Sequence, residues 1–118
     1  VTLDERIAMI HGAGEPSANY QGQAGDLPGI PRLGFPPVRL ADGPPGVPTR
    51  VPSIALTSTI GLGATFSRED ARADGSVIEN EARCHGVGIA PEPFINISRD
   101  FNFSRAYNSF GENPLLTG

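Results

Sequence analysis

Apolar positions in this chain come in short runs separated by glycine and proline, and only some of the runs carry a period. Leu3, Ile7 and Ile10 recur at helical spacing behind Thr2-Leu3-Asp4-Glu5, a capping box in which hydroxyl and carboxylate each accept from the other's backbone amide. The pattern predicts an amphipathic helix over 2–11, stopped by Gly12 in the left-handed region. His11 falls at its C-terminal end and reads as a capping residue suited to the helix dipole. Residues 13–37 are small, polar and broken by Pro28, Pro31, Pro36 and Pro37. They read mostly as loop, with Leu33-Gly34-Phe35 as an anchor docked on a core. Val38 to Ala41 is a short apolar run and reads as a buried strand.

Residues 47–53 read as irregular, and Ile54 to Phe66 as a close-packed connection. Gly61 and Gly63 do not make a nucleotide loop, because the third glycine of that motif would fall on Phe66. Ser67 then caps the best helix in the chain, with Glu69 and Asp70 at the positive end of its dipole. Ala71, Gly75, Ile78, Ala82 and His85 share one face, whose small residues allow close approach to a sheet. A packing contact is expected to account for Gly75, which costs about 1 kcal/mol against alanine in a helix interior. Glu79 and Arg83 form a solvent-side pair, Glu79 and Glu81 read as a solvated face, and Gly86 ends the helix. Val87 to Ile97 reads as the next buried strand with its exit.

Strand, helix and strand in this order make a βαβ unit with parallel strands and a right-handed crossover. In parallel α/β folds, sites gather beyond the carboxyl ends of the strands. Asp42 follows the first strand on a turn stiffened by Gly43, Pro44, Pro45 and Gly46. Asn96, Arg99 and Asp100 follow the second. Parallel pairing therefore brings Asp42 and Arg99 to one face. Asp42 has a structural alternative, in which it caps its own turn. Arg50 could lie near Asp42 or serve only the surface. The segment 96–114 interleaves arginines, amides and aromatics, which suits a polyhydroxylated ligand with apolar ring faces. Within it, Arg105 and Glu112 read as structural partners of each other.

Composition narrows the classes. The 118 residues fit one domain, with 13 acidic residues against nine arginines and no lysine. No basic cluster marks a nucleic-acid partner. No apolar run approaches the ~20 residues that span a bilayer, so no membrane is implied. No secretory leader is visible at Val1, and the compartment is open. Cys84 is the single cysteine, which excludes an internal disulfide, and the histidines and carboxylates lack metal-ligand spacing. No cofactor or metal is implied.

At the level of motifs, the chain resembles the N-terminal part of glycoside hydrolase family 3, the β-glucosidase group. Thr2-Leu3-Asp4-Glu5-Arg6-Ile7 is similar to that family's opening helix. Ile30-Pro31-Arg32-Leu33-Gly34-Phe35-Pro36 followed by Arg39-Leu40-Ala41-Asp42-Gly43-Pro44-Pro45-Gly46-Val47 resembles its "GIPRLGIPPLRLADGPAGVR" segment. Ala64-Thr65-Phe66-Ser67, Asn96-Ile97-Ser98-Arg99-Asp100 and Phe110-Gly111-Glu112-Asn113-Pro114 match three further motifs in order. The resemblance implies an α/β fold, with residues 1–118 the first part of a (β/α)8 TIM-type barrel that is incomplete in this chain. It implies retaining hydrolysis of terminal β-D-glucosides through a covalent glycosyl-enzyme. Asp42 and Arg99 match residues that hold the terminal sugar without making or breaking bonds.

Several positions depart from the family. The arginine six residues after the aspartate is Pro48 here, and Arg50 two residues on is the candidate replacement. Phe101 stands for a proline, Asn108 for a glutamate and Asn113 for an aspartate. The family's lysine–histidine pair, nucleophilic aspartate and acid/base glutamate lie beyond this stretch, so no catalytic residue is expected in the chain. The expected partners are a small-molecule glycoside and the remaining segment of the same enzyme, with a homo-oligomer left open. Alternatives are a β-xylosidase or β-N-acetylglucosaminidase of the same family, or a non-catalytic sugar-binding relative.

Overall fold

The computed structural model describes residues 1–11, 13, 21–43, 45–100 and 102–118. Helix α1 spans Leu3–Ile10 and starts as its sequence dictates. Thr2 accepts from the Glu5 amide, and Glu5 accepts from the Thr2 amide at 2.6 Å. His11 occupies its C-cap position in an extended conformation. The expected stop at Gly12 lies outside the described residues. Glu5 also takes a two-pronged contact from Arg32, with both distances 2.6 Å. Arg32 belongs to a 3-10 turn at Pro31–Leu33, so one carboxylate caps α1 and ties it to residues 27 positions away.

Three short strands form one sheet. Strand β1 is Gly25–Leu27, β2 is Val38–Leu40 and β3 is Val87–Ile89, in the order β1-β2-β3. β2 and β3 pair in parallel, as the βαβ reading requires, with a register irregularity between Arg39 and Leu40. β1 pairs antiparallel with β2 and corrects the loop expected over 13–37. Gly-Asp-Leu carries no β-branched residue and no alternation, so nothing local marks it as a strand. Its partners are supplied by β2 and by Ala13, whose amide and carbonyl both bond Asp26. The anchor expected at Leu33-Gly34-Phe35 is also corrected. Leu33 and Phe35 are exposed, while Ile30 is buried and bridges to Phe35 around the 3-10 turn.

A third correction falls on 54–66. Ser58 accepts from the Gly61 amide and starts α2 at Thr59–Gly63, a helix too short to leave a period. Close packing is nevertheless real there, since a Cβ on Gly63 would stand 2.5 Å from the Phe110 carbonyl oxygen. Helix α3 spans Arg68–Cys84, with Ser67 accepting from the Asp70 amide and Arg83 bonded to Glu79 at 2.6 Å. Its buried contact is Ala82, which joins Ala41 and Val47 in the core with Ile78 and Val87 packed alongside. Gly75 is not explained by packing, because a Cβ there would meet nothing within 4 Å. Glu81 is not simply solvated, since its carboxylate accepts from the Ile54 amide at 2.9 Å. His85 meets the Thr49 hydroxyl at 3.1 Å, and both contacts pin the 49–54 loop to the end of α3. Helix α4, Pro114–Thr117, is capped by Asn113, which accepts from the amides of Leu115 and Leu116.

The Arg32 bonds, and then the Thr2 amide, lower the Glu5 pKa from 4.5 to about 2. A depressed carboxylate stabilises the fold above its unfolded value and loses that contribution as pH falls through its folded value. The α1–Arg32 clamp should therefore persist until pH falls below 4.5 toward about 2. A carboxyl-carbon NMR titration should place Glu5 near the lower value, and Arg32→Met should return it toward the upper one. An unshifted Glu5 in the parent protein would show that the clamp does not form in solution.

Candidate functional site

The expected site begins where β2 ends. The Ala41 amide donates to the Ile89 carbonyl at 3.1 Å, carrying the parallel pairing one residue past the strand. Asp42 follows and is exposed, while Gly43 behind it is buried. Gly43 has φ +142°, and a Cβ there would fall 1.7 Å from the Gly46 carbonyl oxygen. The Gly46 amide returns to the Gly43 carbonyl at 3.0 Å. Gly46 has φ +127° and packs so closely on Ile54 that a Cβ would stand 2.4 Å from its oxygen. Only glycine tolerates these φ values and approaches together. Val47, almost fully buried, fastens the far side of the turn into the core. Asp42 is thus an exposed carboxylate on a backbone with little room to move.

Arg99 lies beyond β3 in an open cleft of about 540 Å³, lined with Ile95, Asn96, Ile97, Asp100 and Phe103. That volume is within the ~300–1,000 Å³ usual for small-molecule sites. Flanking residues hold the loop. The Ser98 amide donates to Gly111, the Ser98 hydroxyl bonds the buried Ser109 hydroxyl, and Asp100 accepts from the Asn102 amide at 2.9 Å. Arg99 itself is exposed. Asp42 follows the neighbouring parallel strand but is not among the residues lining this cleft. Arg50 does not line this cleft either; its amide bonds the Gln21 carbonyl, and its side-chain stem lies against Gly22.

The expected pairing of Arg105 with Glu112 is corrected. The Arg105 guanidinium sits over the Phe94 ring, 4.7 Å from its centroid, and donates to Asn108 at 3.4 Å. Phe94 in turn stacks with Phe103, with centroids 6.2 Å apart. Asn108 is buried as the acceptor in this cluster. The aromatics intervene because the chain folds back through the 3-10 turn at Ala106–Asn108, a through-space contact that sequence spacing hides.

Glu92 is a residue that sequence reasoning gave no role. It follows β3 between two prolines, and its Oε1 is buried with no hydrogen-bond partner among the described residues. It lines a second, more apolar cleft of about 590 Å³ along α3, with Ile78, Val87 and Phe110. Burial raises its pKa above the ordinary carboxylate value, and the charges of Asp42 and Asp74 raise it further. Asp42 and Glu92 are therefore within electrostatic reach of each other beyond adjacent strand ends. The signal in the sequence was a lone carboxylate framed by Pro91 and Pro93 at a strand exit. Among the described residues no group of three or more histidines, cysteines and carboxylates could hold a metal, and no helix is long and apolar enough to cross a membrane.

An α/β unit with polar groups gathered beyond the carboxyl ends of neighbouring parallel strands is the arrangement of the ligand-binding α/β folds. Comparison with known proteins makes the class specific. No protein-family model matches the chain. The Aspergillus fumigatus protein named "Probable beta-glucosidase J" is 36% identical over 123 aligned residues, covering 100% of this chain. Among solved structures, DesR, a β-glucosidase from Streptomyces venezuelae in complex with D-glucose, superposes with a TM-score of 0.86 at 36% identity over 99% of this chain. β-Glucosidase 3B from Thermotoga neapolitana in complex with glucose gives 0.85 at 31% identity over 99% of this chain. Over its whole length the chain is thus similar to proteins named β-glucosidases, curated and solved alike. It spans 13% of the A. fumigatus relative and 15% and 18% of the two solved chains.

The Asp42 turn gives a direct test. Gly43→Ala puts a methyl group into the Gly46 carbonyl at a φ that alanine avoids, and should cost about 3 kcal/mol or more. Denaturant unfolding of the complete protein should register this loss, whereas Gly34→Ala, where a Cβ meets nothing within 4 Å, should cost less. Equal losses at both positions would contradict the close-packed turn.

Proposed function

We propose that this chain supplies part of the terminal-sugar pocket of a retaining β-glucosidase. The observation that carries the reading is the placement of Asp42 and Arg99 beyond two neighbouring parallel strands, in a chain whose relatives are named β-glucosidases. Asp42 accepts hydrogen bonds from hydroxyls of the terminal glucose. Arg99 donates to oxygens of the same sugar. The charges of Asp42 and Asp74 both bear on Glu92, and carboxylates gathered at this exit suit a ligand rich in hydroxyl donors. Arg50, resting on Gln21–Gly22, is the remaining candidate contact.

These groups orient the ring, and their hydrogen bonds strengthen as it distorts toward the oxocarbenium-like state. The nucleophilic carboxylate and the acid/base carboxylate come from the remaining segment of the enzyme. Residues 1–118 are the first part of a (β/α)8 barrel domain in this reading. Three features support completion by further chain. Among the described residues the core holds four buried apolar residues, long apolar side chains such as Leu3, Ile10 and Ile95 are exposed, and the radius of gyration is 16.7 Å where about 13 Å suits a compact 100-residue domain. The names of the relatives favour glucosides over xylosides or N-acetylglucosaminides as substrates.

In the complete enzyme, Asp42→Ala should lower kcat/KM on an aryl β-glucoside by roughly 10²-fold or more, since hydrogen bonds to a charged group are worth about 1.5–3 kcal/mol before any strengthening in the transition state. Unchanged kcat/KM would remove Asp42 from the pocket.

A further inference from the structure

We infer that Phe103 is a specificity-determining wall of the Arg99 cleft, on which the apolar face of the pyranose ring held by Arg99 stacks. The inference rests on the glucosidase reading above and names a contact that reading does not contain. Phe103 and Arg99 line one cleft, so a ring hydrogen-bonded to the guanidinium lies within reach of the phenyl group. β-Glucopyranose suits this pairing. Its hydroxyls are equatorial and point outward, while its axial C–H bonds make two apolar faces.

Phe103 is prepared for that role by its surroundings. Its amide donates to the Asp100 carbonyl at 3.1 Å, and its carbonyl accepts from Ala106 at 3.0 Å. Its ring is backed by Phe94 with an interplanar angle of 21°, and Phe94 itself carries the Arg105 guanidinium. The ring thus has few alternative positions, and a ligand pays little to order it. Phe94 is already engaged by both neighbours and does not line the cleft, which leaves Phe103 as the surface offered to a ligand.

The test uses the complete enzyme with Phe103→Leu and Phe103→Tyr, reading the inhibition constant of glucose, the KM and kcat on an aryl β-glucoside, and the melting temperature. Leucine keeps apolar bulk without a flat face, and tyrosine keeps the ring. Phe103→Leu should weaken glucose roughly 5- to 20-fold and raise KM similarly with little change in kcat, while Phe103→Tyr stays within about twofold of the parent. Unchanged glucose affinity in the leucine variant overturns the inference, as does equal weakening in both variants or a loss that follows melting temperature alone. Loss of discrimination between aryl and alkyl aglycones with glucose affinity intact also overturns it, placing the ring against the leaving group. A parent enzyme that neither binds glucose nor cleaves β-glucosides defeats the glucosidase reading itself, an outcome distinct from an active enzyme indifferent to Phe103.

Discussion

The parallel pairing of β2 with β3 is the constraint on which the rest depends. It is short, yet it decides that both strands point the same way and that their exits emerge side by side. The Ala41–Ile89 hydrogen bond extends it to the last residue before Asp42. Helix α3 makes the pairing possible, because only a long crossover can return a chain to run parallel to itself. Ala82 on α3 then closes the core against Ala41 and Val47, one residue before and five after Asp42. Arg39 adds a tie from the strand to the helix end, donating to the His85 carbonyl. A cation there also suits the negative end of the helix dipole.

What the turn after β2 contributes is rigidity. Gly43 and Gly46 let backbone approach backbone where any side chain would collide, and the loop from Val47 to Ile54 is fastened to α3 through Thr49 and Glu81. The exit of β3 is stiffened differently, by serine and Asx bonds and by the Phe94, Phe103 and Arg105 cluster. Between the two exits, the charges of Asp42 and Asp74 both bear on the half-buried Glu92. Carboxylates gathered there favour ligands rich in hydroxyl donors.

Elements with local signatures were legible in the sequence. The capping box of α1, the Ser67 cap of α3 and the apolar runs of β2 and β3 appear where their residues put them, but the burial expected of both strands does not: β2 is half-buried, and β3 ends at Ile89, which is exposed. β1 and α2 were not legible. Asp26 is buried and Gly25 has little strand preference, so their pairing is a product of β2 and Ala13 beside them. Helix α2 is shorter than two turns. For the site, Asp42 and Arg99 could be read as polar groups at strand exits. Glu92 and Phe103 could not, because what distinguishes them is a neighbour far along the chain: Asp42 and Asp74 for one, the cleft shared with Arg99 and the stack on Phe94 for the other. The departure at Asn113 had a plain outcome, since its amide oxygen caps α4 as an aspartate would.

The central claim is that Asp42 and Arg99 hold one sugar between them. A crystal structure of the complete enzyme with glucose bound tests it most directly. The account predicts the Asp42 carboxylate and the Arg99 guanidinium each within ~3 Å of oxygens on the same glucose ring. Glucose seated elsewhere, with Asp42 bonded only to its own turn or to water, would contradict it.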